Sequence, residues 1–154
     1  METPSFTFRL ERVRTLRERA EERAREELAK ELQLRLRGEA ILRQATSAAS
    51  AARDQGRDAV LSSRTSASDL QAAQAYIERA ERARREAALD LDRQDAEVAA
   101  RRDELAAAAR DREAIDRLKD KQRKDFDTEW ARRAQNQLDE VALGVHRRGG
   151  AVAA

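Results

Sequence analysis

A chain of 154 residues that is 40% charged, with 32 Lys and Arg against 30 Asp and Glu, holds too few large side chains for a deep globular core. Its five aromatics are Phe6, Phe8, Tyr76, Phe126 and Trp130, and much of its apolar fraction is alanine. The near-balance of charge argues against a disordered chain, and the lack of cysteine excludes disulfides and thiolate metal sites.

The expected fold class is all-α: two long helices in an antiparallel coiled-coil hairpin, forming a single domain over 1–154. Strand formers are scarce, and the only proline, Pro4, precedes every element. No basic region followed by an apolar core opens the chain, and no run of about 18 apolar residues occurs, so neither a signal peptide nor a spanning helix is expected. The expected location is the cytoplasm, with the membrane reached only through partners.

Helix 1 is expected at about 5–61, capped by Ser5 or Thr7. Alternate steps of four and three trace its seam through Phe6, Leu10, Val13, Arg17, Ala20, Ala24, Glu27, Glu31, Leu34, Gly38, Ile41, Ala45, Ala48, Ala52, Gln55 and Ala59. Eleven of these sixteen positions are apolar, so the supercoil is left-handed but weak. Alanines from 45 to 59 let the axes approach closely while stabilising less than leucine would.

A turn is expected at about 62–68, where serines and Thr65 compete for backbone hydrogen bonds. Ser66 with Asp69 resembles a capping box, with Asp in place of Glu. Helix 2 follows at about 69–145, with a flexible tail over 146–154. Its seam runs Leu70, Ala73, Ile77, Ala80, Arg84, Ala87, Leu91, Gln94, Val98, Arg101, Leu105, Ala108, Arg112 and Ile115. Off-seam pairs four apart, such as Glu26/Lys30, Glu113/Arg117 and Glu129/Arg133, read as solvated faces. The competing architecture is one unbroken helix that dimerises in parallel.

With the turn centred near Thr65, residue i of helix 1 faces roughly residue 130 minus i. Helix 2 then continues about 30 Å beyond the start of helix 1. Phe126, Trp130, Ala134 and Leu138 recur every four residues on that stretch, followed by Val141 and Leu143. Phe126 and Trp130 have an alternative occupation, packing on Phe6, Phe8 and Leu10. Leu138 and Val141 do not, and an exposed apolar stripe rimmed by charge marks a partner site. The same end is basic: residues 1–19 carry five Arg against three Glu, and residues 117–148 carry nine Lys and Arg against six acids. Acids interleaved through that stretch favour an acidic protein surface over nucleic acid.

Catalytic signals are absent. His146 is the only histidine and lies beside a glycine tail, there is no Gly-rich phosphate loop, and the carboxylates sit on helix faces without a cleft to shift them. The expectation is a protein that is not an enzyme and takes neither metal nor cofactor.

Two runs of residues carry a family resemblance. The opening Phe6-Thr7-Phe8-Arg9-Leu10-Glu11-Arg12-Val13-Arg14-Thr15-Leu16-Arg17 and the closing Gln137-Leu138-Asp139-Glu140-Val141-Ala142, followed by Arg147, resemble those of the flagellar export protein FliJ family. The resemblance covers nearly the whole chain. It implies a hairpin similar to the central stalk of rotary ATPases, in the cytoplasmic part of the flagellar type III export apparatus. Implied partners are the hexameric, FliI-like export ATPase, which receives the end bearing both termini, the export gate protein FlhA, and export chaperones. ATPase-facing candidates are then Leu10, Val13 and Arg17 on helix 1, and Phe126, Trp130, Arg133, Leu138, Asp139, Glu140 and Val141 on helix 2. For the gate, family members use exposed aromatic and apolar residues near the turn. Only Tyr76 is of that type here, with alanines at 48, 52 and 80. The other readings are a passive structural coiled coil that only self-associates, and a helix pair that binds nucleic acid.

Overall fold

The computed structural model describes residues 5–62 and 66–150, with side chains described through Val145. Two helices account for nearly all of it, α1 (Glu11–Leu61) and α2 (Ala67–Gly150), and no strand occurs among the described residues. The expected turn centre at Thr65 and the end of the tail, 151–154, lie outside the described residues.

The helices pack against each other within one chain, and low numbers on α1 meet high numbers on α2. Phe6 meets Phe126, Glu11 meets Lys119, Arg14 meets Asp116, Arg35 meets Asp95 and Arg53 meets Glu81. The packing is therefore antiparallel, which excludes the single unbroken helix. Chain contacts divide into two compact units, 1–19 with 109–154, and 20–108.

In the unit 20–108, the helix boundaries follow local chemistry. The Ser62 amide donates to the Asp58 carbonyl at 3.1 Å, closing the last turn of α1. The expected capping box then opens α2. The Asp69 amide donates to Ser66 Oγ at 3.2 Å, and the Ser66 amide and hydroxyl donate to Asp69 Oδ2 at 3.0 and 2.7 Å. Those hydrogen bonds, hydroxyl first and amide second, hold the Asp69 carboxyl below its usual range. The negative charge also suits the positive end of the helix dipole.

The α2 seam lies where the spacing places it: every expected position from Ala73 to Ile115 is at least half-buried. On α1 the two rows of the seam fare differently. The row Ala24, Glu31, Gly38, Ala45, Ala52, Ala59 is turned inward as expected. The other row is displaced by one residue: Glu21, Leu28, Arg35, Leu42, Ala49 and Gly56 replace Ala20, Glu27, Leu34, Ile41, Ala48 and Gln55 as its most enclosed line. Leu34 and Ile41 are left 43% and 58% exposed. The displacement buries Glu21, whose carboxylate receives Arg25 at 2.5 Å. Ala49 and Ala52 are buried, as expected for a close approach of the axes.

The glycines have a packing role here rather than a conformational one, since none has positive φ. A Cβ on Gly56 would lie 2.6 Å from Ile77 Cδ1, and one on Gly38 would overlap the Gln94 amide. Glycine has a helix propensity about 1 kcal/mol poorer than alanine, so both places trade helix propensity for proximity.

In the unit 1–19 with 109–154, α1 starts at Glu11 rather than near residue 5, and neither Ser5 nor Thr7 caps it. Residues 5–10 are non-helical, with the Glu11 amide bonded to the Phe8 carbonyl at 3.2 Å and the Arg14 amide to the Leu10 carbonyl at 2.9 Å. Phe8 is buried, and the Phe6 ring lies 5.7 Å from that of Phe126 at a 54° tilt. Burying a phenylalanine stabilises by about 1.5–3 kcal/mol, against about 1 kcal/mol for a serine or threonine cap, so the aromatics decide where the helix begins. α2 continues to Gly150, past the stop expected near 145.

Candidate protein-docking surfaces

Near the termini, aromatic packing is joined by an ion-pair network. Arg14 donates from Nε to Asp116 at 2.7 Å and pairs with Glu18 at 2.7 Å and Glu11 at 3.3 Å. Asp116 also takes Arg112 at 2.6 Å, and Lys119 reaches Glu11 at 2.8 Å while lying 5.8 Å from the Phe8 ring centre. The hydrogen bond from Arg14 is the main reason Asp116 stays ionised to lower pH than usual, and the bond from Lys119 does the same for Glu11. Arg17 is paired with Asp111 at 2.9 Å. Val13 is half-buried and Leu10 is at the margin of exposure. The α1 candidates are thus largely engaged by their own hairpin.

On α2 the stripe divides into two parts. Phe126, Trp130 and Ala134 are half-buried, Phe126 against Phe6. Beyond them the apolar side chains face solvent: Leu138 is 62% and Val141 63% exposed, with Leu143 and Val145 similar. Trp130, Ala134, Leu138, Val141 and Val145 follow at steps of four, four, three and four, the spacing of one helix face. Arg133 is exposed and pairs with Glu129 at 3.4 Å, Asp139 accepts from Gln135 at 3.0 Å, and Glu140 is exposed. Sixteen basic residues against twelve acids give this unit a net charge of +4, while residues 20–108 carry −2. Arg9, Arg12, Lys121, Arg123, Lys124 and Arg132 are exposed.

Near the turn there is a second surface, of which Tyr76 was the only member expected. Tyr76 is 45% exposed. Close by, a groove of about 710 Å³ is lined by Val60, Leu61, Leu70, Ala73, Ile77 and Gly56, with Arg53, Asp54 and Arg57 at its edge. Leu61 is 83% and Val60 70% exposed. Sequence reasoning passed over Val60 and Leu61 because they fall off the seam. The signal was present: two branched apolar residues stand directly before a serine-rich break, with Val60 opposite Leu70 in the expected alignment. Of the alanines at 48, 52 and 80, Ala52 is buried and Ala48 exposed, so the apolar area near the turn comes from other residues.

Among the described residues no cluster of potential metal ligands occurs, and no helix is long and apolar enough to cross a membrane. The fold defines an α-helical hairpin protein with two exposed apolar surfaces. A family model described as Flagellar FliJ protein matches residues 6–151, and the chain belongs to that family. Its members are components of the flagellar export apparatus. No curated protein and no solved structure matches the chain.

Proposed function

We propose that this protein is a stalk-like coupling component of flagellar type III export, docking the end that carries both termini on the hexameric export ATPase. The observation that carries this reading is the row Leu138, Val141 and Val145, exposed on α2 beyond the position where Phe126 meets the start of the chain at Phe6. Leaving several branched side chains of one helix face in water is unfavourable by about 25 cal/mol per Å², and a partner groove relieves that. The positive charge of the same unit suits an acidic receiving surface. Because Arg17, Val13 and Phe126 are engaged within the hairpin, Leu138, Val141, Arg133, Asp139 and Glu140 are the residues proposed to meet the ATPase, with Trp130 and Leu10 at the margin.

The turn-proximal groove is the surface proposed for the export gate protein FlhA, with Val60, Leu61 and Leu70 joining Tyr76. Between the two contacts the hairpin is a mechanical link that biases ring assembly or rotation toward export, and export chaperones are further partners. The tests are direct. Leu138→Asp with Val141→Asp should lower capture of the export ATPase by tenfold or more while circular dichroism remains that of the wild type. Undiminished capture overturns the reading and favours the passive self-associating coiled coil, for which sedimentation would report a stable dimer.

A further inference from the structure

Across the middle of the unit 20–108 the seam is almost featureless. Ala45, Ala49, Ala52 and Ala59 on α1 face a line that includes Ala73, Ala80 and Ala87 on α2. An alanine seam with a seven-residue repeat looks much the same after a slip of one heptad, so it specifies alignment weakly. Yet the contacts hold one register: the numbers of facing residues add to between 128 and 134 throughout.

Two side chains stand out from that seam. Ile77 projects to where a Cβ on Gly56 would be, and Gln94 to where one on Gly38 would be. Each therefore occupies a hole that only a missing side chain leaves open. Both glycines weaken the interior of a long helix. Gln94 also brings a buried carbonyl oxygen that has no hydrogen-bond partner. Three locally unfavourable choices at two facing pairs indicate that the pairs serve alignment rather than helix stability. A polar group retained in a helical seam has its best-attested use in fixing register.

We propose that Gly38/Gln94 and Gly56/Ile77 are the register keys of the hairpin. The holes are eighteen residues apart on α1 and the knobs seventeen apart on α2, so both knobs find both holes in the observed alignment. A slip of one heptad in one direction lays Ile77 on Ala49, and in the other direction lays Gln94 on Ala45, where a methyl group fills the space. The keys act as positioning residues. Within the unit 20–108 they determine which α2 residues face which α1 residues, and hence whether Leu70 borders the groove beside Gly56.

The chain has no cysteine, so spin labels can be placed at will on the full-length protein. Ser47→Cys and Asp103→Cys put one label on each helix at exposed positions, well separated along the axis. The decisive variant exchanges residues within α1, Glu31→Gly with Gly38→Glu and Ala49→Gly with Gly56→Ala. This moves both holes seven residues toward the N-terminus at unchanged composition. The slip asks only that the last residues of α1, through Leu61, join the connection. The expected result by pulsed electron resonance is an interlabel distance longer by about 10 Å, seven residues at 1.5 Å each. A second variant, Ile77→Ala with Gln94→Ala, only removes atoms. It should show the wild-type distance together with a population displaced by about 10 Å. An unchanged distance in the exchanged variant with helical content intact overturns the proposal, as does a single wild-type distance in the second. If the exchanged variant loses its helices, the second variant decides.

Discussion

The same two helices are held together by different means in their two compact units. In residues 20–108 small residues carry much of the seam alongside Val98: Ala49 and Ala52 are buried, Gly38 and Gly56 accept knobs, and ion pairs such as Arg53–Glu81 at 2.7 Å run along the edge. In residues 1–19 with 109–154 the seam is supplemented by Phe8, the Phe6–Phe126 pair and a network centred on Arg14 and Asp116. Close approach spreads stabilisation over many weak contacts. An aromatic clasp concentrates it in a few. The first arrangement is sensitive to added volume, the second to lost volume.

That contrast can be broken in order of effect. Phe8→Ala should be the most damaging, at roughly 3 kcal/mol for a buried aromatic. Hydrogen exchange should quicken over 11–19 and 109–126 and stay unchanged over 45–59. A uniform change along both helices would mean that the clasp is not local. Ala52→Leu tests the opposite sensitivity, because overpacking a buried alanine costs about 1–3 kcal/mol. Its effect should appear in the unit 20–108, whereas an added methylene group on exposed Ala48 should leave the melting temperature within error. Ser66→Ala removes the cap of α2 and should cost about 1 kcal/mol, read as lost amide protection over 67–70.

The smallest effect is that of acid. Glu11, Asp116 and Glu81 are held below their ordinary values of 4.5 for Glu and 3.8 for Asp by hydrogen bonds from cations and by the cations' charge, and Asp69 by hydrogen bonds from Ser66. A lowered folded-state value stabilises the fold above the unfolded value and is lost as pH falls through the folded one. Thermal melts should therefore be flat from pH 7 down to about 5 and decline below about 4. Exposure and salt keep each contribution small. A decline that begins near pH 6 would point to some other group.

Much of this hairpin was legible in the residues because helical periodicity and end chemistry are local. The α2 seam, the Ser66–Asp69 box and an alignment near 130 all follow from spacing. Of the expected pairs four apart, Glu113–Arg117 and Glu129–Arg133 form, while Lys30 turns to Glu27. Of the candidate docking residues, Leu138 and Val141 are exposed, whereas Phe126 is taken by Phe6 and Arg17 by Asp111.

The amino-acid sequence by itself determined two long helices, the place where they break and the way they pair. Those properties depend on apolar spacing, on hydroxyl and carboxyl groups competing for backbone amides, and on the absence of internal proline. Tertiary structure alone decided which line of α1 turns inward. At 41 or 42, 48 or 49, and 55 or 56, either neighbour satisfies a helical repeat, and only the side chains arriving from α2 distinguish them. It also decided that α1 begins at Glu11, because burial of Phe8 outweighs the caps upstream. Likewise, the alignment near 130 sets Val60 opposite Leu70, but only the fold left that pair and Leu61 exposed around one groove, because how closely two helix ends pack is not a local property.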